Sequence, residues 1–168
     1  VSNMQEPLVS IVTITYNHQP YIRKCIEGVL MQKVNFPIEF IIAEDCSTDG
    51  TLTICKEYAE KYPDLIHLIT SETNVGAIAN ERRAMKAAKG KYIAFCEGDD
   101  YWTDSLKLQK QVDFLEEHPE YSVTFHRCEH YNVVDGTTKD DQCGFLFQNN
   151  EEGVDVNVEM FFDKWITQ

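Results

Sequence analysis

The chain has 168 residues, 43% of them hydrophobic and 11% aromatic, enough for one domain with a buried core. Lys and Arg number 15 against 28 Asp and Glu, a net charge of -13. That balance excludes a phosphate-tracking nucleic-acid surface, which needs clustered cations, but admits a phosphorylated metabolite where a metal ion brings the positive charge.

The cysteines Cys25, Cys46, Cys55, Cys96, Cys128 and Cys143 form no C-x-x-C pair and no Cys/His ligand spacing, so they read as reduced thiols of a cytoplasmic protein. No charged-then-apolar signal segment opens the chain, and no apolar run approaches membrane-spanning length. Residues 1–7 read as a tail.

Leu8 to Thr15, LVSIVTIT, is β-branched and nearly continuous in apolar character, which predicts a strand buried on both faces. Tyr16-Asn17-His18-Gln19-Pro20 is a polar turn, and Ile22, Ile26 and Val29 then recur at helical spacing. Ile38 to Ala43 predicts a second strand, which runs into Glu44-Asp45-Cys46-Ser47-Thr48-Asp49-Gly50. Ser47 or Asp49 is placed to cap the next helix, whose Leu52, Cys55, Ala59 and Tyr62 share a face before Pro63 stops it. Ile66 to Thr70 is a third strand, and Asn74-Val75-Gly76 leads into a helix over Ala77 to Lys89 that ends at Gly90.

A fourth strand, Tyr92 to Cys96, reads as buried and delivers the chain into Glu97-Gly98-Asp99-Asp100. Thr103 or Asp104 then caps a helix carrying Leu108, Val112 and Leu115, and Tyr121 to Phe125 predicts a fifth strand. Beyond Arg127 the signal weakens to a polar stretch, a short apolar run at Gly144 to Phe147 and an aromatic segment at Glu159 to Trp165. The chain reads as one that continues past Gln168.

Strands alternating with helices through short connections predict an α/β fold, a Rossmann-like and mostly parallel sheet with helices on both faces. In such sheets ligands bind outside the carboxyl ends of the strands. Thr15-Tyr16-Asn17, Glu44-Asp45, Asn74-Val75-Gly76 and Glu97-Gly98-Asp99-Asp100 all fall at those ends. Three carboxylates within Glu97 to Asp100 repel one another, and a divalent cation held by oxygen ligands is the common reason for such a cluster. A solvated acidic turn is the bland alternative, and convergence with the other strand ends favours the cation. The first strand is followed by neither G-x-G-x-x-G nor a Walker-type loop, so a bound diphosphate needs a cation on the acidic cluster.

The segments VSIVTITYN, EDCSTDGT, NVGA and CEGDDYW resemble the nucleotide-sugar-binding half of family 2 glycosyltransferases, over residues 9–126. The resemblance implies a GT-A fold and inverting transfer of a sugar from a nucleoside diphosphate donor, a UDP-sugar first of all, to an acceptor hydroxyl. It implies Mn or Mg as cofactor and a glycan or lipid-linked acceptor, in surface polysaccharide synthesis at the cytoplasmic side of a membrane. Residues 8–127 become the nucleotide-sugar domain, and 128–168 the start of an acceptor-side region. The nucleotide falls to Thr15, Tyr16, Asn17, Glu44, Asp45, Asn74, Gly76 and Asp99, with Asp45 on the base and Tyr16 lining its pocket. The metal falls to Asp99 and Asp100, with Glu97 as a third candidate.

Glu97 and Glu44 stand where the family often has aspartates, and Glu81-Arg82 replaces a frequent Arg-Asn pair. Arg82 and Arg83 read as a solvated helix face in preference to donor contacts. The mechanism needs a carboxylate base. Asp135, Asp140, Asp141 and Asp163 read as surface acids, which places the base beyond Gln168. His126 is a lesser candidate to face the site, and His18 reads as an ordinary loop residue. Two rival functions remain: a sugar-phosphate nucleotidyltransferase, which lacks its glycine-rich basic loop here, and a non-catalytic nucleotide-sugar-binding module.

Overall fold

The computed structural model describes residues 6–126 and 128–141. The expected apolar run at Gly144 to Phe147, the aromatic segment at Glu159 to Trp165, and Asp163 lie outside the described residues, as do the side chains of Asp140 and Asp141. The chain divides into two units, Val1–Glu120 and Tyr121–Gln168.

In the first unit, β1 (Val9–Thr15), β2 (Ile38–Glu44), β3 (Ile66–Ile69) and β4 (Tyr92–Phe95) form one four-stranded sheet in the order β3-β2-β1-β4. Every pairing in it is parallel, and β1 meets β2 along its whole length, from Val9 opposite Ile38 to Thr15 opposite Glu44. Parallel neighbours need crossovers, and the helices α1 (Ile22–Leu30), α2 (Thr51–Lys61) and α3 (Ala77–Ala87) supply them, followed by α4 (Lys107–Glu117). The Rossmann-like expectation holds.

The two faces are covered unequally. Ile11, Phe40, Ile42 and Ile66 pack with Ile22 and Ile26 of α1, Cys55 and Tyr58 of α2, and Leu108 and Val112 of α4. Val12, Ile41 and Ala43 meet α3 through Ala84 on the other face. Each large aliphatic side chain buried in this way contributes about 1.5–3 kcal/mol, which is why β1 and β2 read as nearly continuous apolar runs.

β4 corrects the expectation of a fully buried fourth strand. It ends the sheet and α3 covers β1 and β2, so Ile93 and Phe95 remain 36% and 49% exposed. The turn before β4 is held by a buried polar knot. Ser10 Oγ donates to Glu39 Oε1 at 2.6 Å and accepts from the amide of Gly90 at 2.7 Å. A Cβ at Gly90 would lie 2.5 Å from the Ser10 nitrogen, so glycine is required for the close approach.

The second unit contains a hairpin, β5 (Cys128–Tyr131) paired antiparallel with β6 (Thr138–Asp141). The expected strand at Tyr121 to Phe125 does not form, and the next strand begins at Cys128. Pairing rather than local β-propensity decides: among the described residues no strand pairs with Val123 and Thr124, whereas the turn at Asn132 to Gly136 closes the hairpin through an Asn132–Thr137 backbone bond of 2.8 Å. Among the described residues no helix is long and apolar enough to cross a membrane.

Candidate functional site

The loops after β1, β2, β3 and β4 all leave the carboxyl edge of the sheet, and hydrogen bonds join them into one surface. The loop after β1 is the hub. Asn17 adopts a left-handed conformation with φ of 55°, which aims its side chain back at the loop after β2. Its Oδ1 accepts from the Thr48 amide at 2.8 Å and from Thr48 Oγ1 at 3.2 Å, while its own amide donates to Ser47 Oγ at 3.0 Å. The Gln19 amide donates to Asp49 Oδ2 at 3.1 Å, and the Gly50 amide donates to Gln19 Oε1 at 2.8 Å. The N-cap of α2 is Gly50, in place of the expected Ser47 or Asp49; Asp49 stands one residue earlier and accepts from the amide and hydroxyl of Thr51 in an Asx-type turn.

The pair closing β2 is buried. Glu44 is fully enclosed, and its carboxylate accepts from the amides of Cys46 at 3.2 Å and Ser47 at 2.6 Å. That grip holds Cys46 in the left-handed region, at φ of 60°. Glu44 therefore shapes the loop from within. Asp45 reaches the third loop: Oδ1 accepts from Ser71 Oγ at 3.1 Å and the Val75 amide at 2.9 Å, and Oδ2 accepts from the Gly76 amide at 2.9 Å. Gly76 has a φ of 85°, which only glycine adopts without cost, and Asn74 Oδ1 takes a second bond from its amide.

Sequence reasoning underrated α3. Arg82 is exposed as expected, but Arg83 turns inward. Its Nε donates to Asn80 Oδ1 and its Nη2 to the Glu44 carbonyl, both at 2.6 Å, and Nη2 lies 3.9 Å from Asp45 Oδ1. Asn80, itself buried, donates from Nδ2 to the Ala43 carbonyl at 2.8 Å. The legible signal was a polar pair at i, i+3 on the face shared with buried Ala84.

At the other end, the acidic loop leans on β1. The Gly98 amide donates to the Ile14 carbonyl at 3.0 Å, and a Cβ on Gly98 would come within 2.6 Å of Thr15 Oγ1 and 2.8 Å of His18 Nδ1. Thr15 is buried, its Oγ1 lies 3.2 Å from His18 Nδ1, and His18 Nε2 lies 3.9 Å from Asp99 Oδ2. His18, read from sequence as a loop residue, thus sits against the acidic cluster. Trp102 anchors the loop's far end: it is buried, and a Cβ on Gly28 of α1 would meet its backbone at 2.9 Å. Lys107 lies 4.2 Å over the Trp102 ring, and burial pushes its ammonium down to about 8.

Tyr16 is 40% exposed at the rim, and Asp99, Asp100 and Glu97 are exposed. Partial desolvation and the charges of Asp99 and Asp100 raise the carboxyl of Glu97 above its ordinary range, while His18 opposes the shift. Among the described residues no three His, Cys, Asp or Glu side chains are already arranged around a metal position. The donor chemistry nonetheless fits a hard divalent cation: all-oxygen and acidic. Of the expected base candidates, Asp135 is a turn residue of the hairpin, accepting from the Thr137 amide and hydroxyl and from Asn132 Nδ2. His126 belongs to the second unit.

The family described as "Glycosyl transferase family 2" matches residues 10–163. The chain belongs to glycosyltransferase family 2. TuaG of Bacillus subtilis, named for teichuronic acid biosynthesis, is 42% identical over 112 residues, 67% of this chain and 43% of TuaG. Staphylococcus aureus TarS, solved with UDP, superposes with a TM-score of 0.57 at 32% identity, covering 66% of this chain and 32% of that one. A mannosyltransferase from Pyrobaculum calidifontis, solved with GDP-mannose and Mn2+, gives 0.58 at 25% identity, covering 67% and 33%. The chain spans 34% of the length of its mycobacterial relatives. These matches agree with a GT-A sheet.

Proposed function

We propose that this chain is the donor-binding part of an inverting glycosyltransferase that takes a nucleoside diphosphate sugar, a UDP-sugar first of all. The observation that carries this reading is the continuous hydrogen-bonded surface along the strand ends, with a buried carboxylate at one end and an exposed acidic cluster at the other. Among the described residues neither a glycine-rich loop nor a basic patch supplies phosphate binding, so the acidic end serves a diphosphate through a cation. TarS with UDP and the Pyrobaculum enzyme with GDP-mannose and Mn2+ support both halves of this assignment.

In this reading Tyr16 offers a flat apolar face to the base, and Asp45 accepts from a base N–H. Thr15, Asn17 and Glu44 shape the loops that frame the nucleotide, and Asn74 and Gly76 close the base end. Asp99 and Asp100 hold Mn or Mg, with Asp99 also within reach of the ribose and Glu97 as a third oxygen donor. When bound, the cation stabilises the charge that builds on the departing diphosphate. The acceptor oxygen forms its bond to the anomeric carbon as the bond to diphosphate breaks on the opposite face, and its proton passes to a carboxylate base supplied outside the donor site. Residues from 128 onward begin the acceptor side. The acceptor is a glycan or lipid-linked hydroxyl at the cytoplasmic side of a membrane, as in surface polysaccharide synthesis. Thermal-shift measurement with nucleoside diphosphates and their sugars, with and without Mn, tests the reading. Stabilisation by UDP that grows with Mn supports it, and no response to any nucleotide refutes it.

A further inference from the structure

His18 is anchored both at its backbone and at one ring nitrogen. Its carbonyl accepts from the amides of Tyr21 and Ile22, both at 2.9 Å, and its neighbours Asn17 and Gln19 are tied to the loop after β2. Buried Thr15 Oγ1 lies 3.2 Å from Nδ1, and Gly98 packs so close that a Cβ there would come within 2.8 Å of the same atom. Nε2 is left facing the acidic loop, 3.9 Å from Asp99 Oδ2, in a side chain 25% exposed. Among the described residues no other side chain hydrogen-bonds or ion-pairs with Asp99, which is half exposed. A gap of 3.9 Å is too long for a hydrogen bond, but it suits two donors that share one ion. Ligand atoms about 2.1–2.2 Å from a common centre stand about 3.0 Å apart when adjacent in an octahedron and about 4.4 Å apart when opposite.

We propose that His18 Nε2 is a ligand of the donor-site cation beside Asp99, and that this nitrogen makes the site favour a transition-metal ion over Mg. The proposal rests on the reading of the acidic loop as the diphosphate end of the site. The carboxylates of that loop offer oxygen alone, and His18 adds a nitrogen. A cation in a phosphate site needs only one or two protein ligands, because phosphate oxygens and water complete its shell. The Thr15 hydroxyl can accept from Nδ1–H as well as donate to Nδ1, so it is able to hold the tautomer that leaves Nε2 its lone pair. Imidazole suits transition-metal ions, with affinity rising from Mn to Co, whereas Mg keeps to oxygen.

Calorimetric titration of the 168-residue chain with UDP in the presence of Mg, Mn or Co, together with pulsed EPR of the Mn–UDP complex, tests this. Wild type should bind UDP more tightly with Mn or Co than with Mg. Its Mn spectrum should show a directly coordinated nitrogen, which UDP cannot supply because it carries nitrogen only in its base, away from the diphosphate. His18→Ala should remove that coupling and lower the affinity with Mn and Co by at least about tenfold, which loss of even an outer-shell partner costs, while the affinity with Mg falls much less. A merely structural His18 would weaken binding with all three cations alike, and an unchanged preference in a folded His18→Ala overturns the proposal. If the alanine variant does not fold, wild type alone decides: a Mn spectrum without coordinated nitrogen overturns the assignment. Wild type that binds UDP equally with and without any cation also overturns it, while leaving the base end of the donor site standing. Wild type that binds no UDP under any of these conditions overturns the donor-site reading and the proposal with it.

Discussion

Replacing Asp45 by Asn keeps the shape of the side chain and changes its charge and one donor–acceptor match. In the wild type its carboxylate accepts from Ser71 Oγ and the Val75 amide on Oδ1 and from the Gly76 amide on Oδ2, at 2.9–3.1 Å, in a side chain only 3% exposed. Asn retains Oδ1, but the two bonds there lose their ionic character, at a cost of roughly 0.5–1 kcal/mol each. Its NH2 group then faces the Gly76 N–H, donor against donor. That loss falls at the low end, about 1 kcal/mol, because Asn74 Oδ1 also accepts from Gly76 at 3.1 Å. The sum is about 2–3 kcal/mol, which corresponds to a fall in Tm of about 4–12 °C for a chain of this size. Differential scanning calorimetry measures it directly. Nucleotide affinity, measured well below the new Tm, should fall as well, with and without Mn. A Tm within about 2 °C of wild type would refute the claim that Asp45 holds the loop before α3.

Gly98→Ala places a Cβ 2.6 Å from Thr15 Oγ1 and 2.8 Å from His18 Nδ1, so it should cost about 1–3 kcal/mol; thermal unfolding indistinguishable from wild type would refute that packing. Asp100→Ala should abolish Mn-dependent UDP binding while leaving the fold intact; calorimetric affinity equal to wild type would exclude Asp100 from the cation set. Glu97 titrates higher in the folded chain than its ordinary value, because of desolvation and then Asp99 and Asp100. Its ionisation therefore opposes folding, and the metal-free chain should lose stability as pH rises from the ordinary carboxyl value through the raised one. Mn, which favours the ionised form, should raise the Tm more at pH 7 than at about pH 5. Equal Mn stabilisation at both would show that Glu97 is uncoupled from the cation.

The sequence by itself determined the parallel sheet and which polar motifs gather at its carboxyl edge. β1 and β2 are nearly continuous apolar runs, the helices between the strands carry an apolar stripe, and the polar motifs follow the strands in order, all of it local information with a period of 2 or 3.6 residues. The acidic cluster was legible because like charges crowded into Glu97 to Asp100 demand an explanation wherever they stand. What only the tertiary structure decided depends on contacts between residues far apart in the chain. Glu44 and Asp45 are adjacent and both acidic, yet one closes its own loop and the other ties down a loop some thirty residues away. Asn80 and Arg83 look like a polar helix face until α3 is laid against the end of β2, where they meet the Ala43 and Glu44 carbonyls and Asp45. His18 looks like a loop residue until β4 pairs with β1 and carries Gly98 and Asp99 against it. An apolar pattern records burial, whereas the partner of a polar side chain is chosen by geometry that the pattern does not contain.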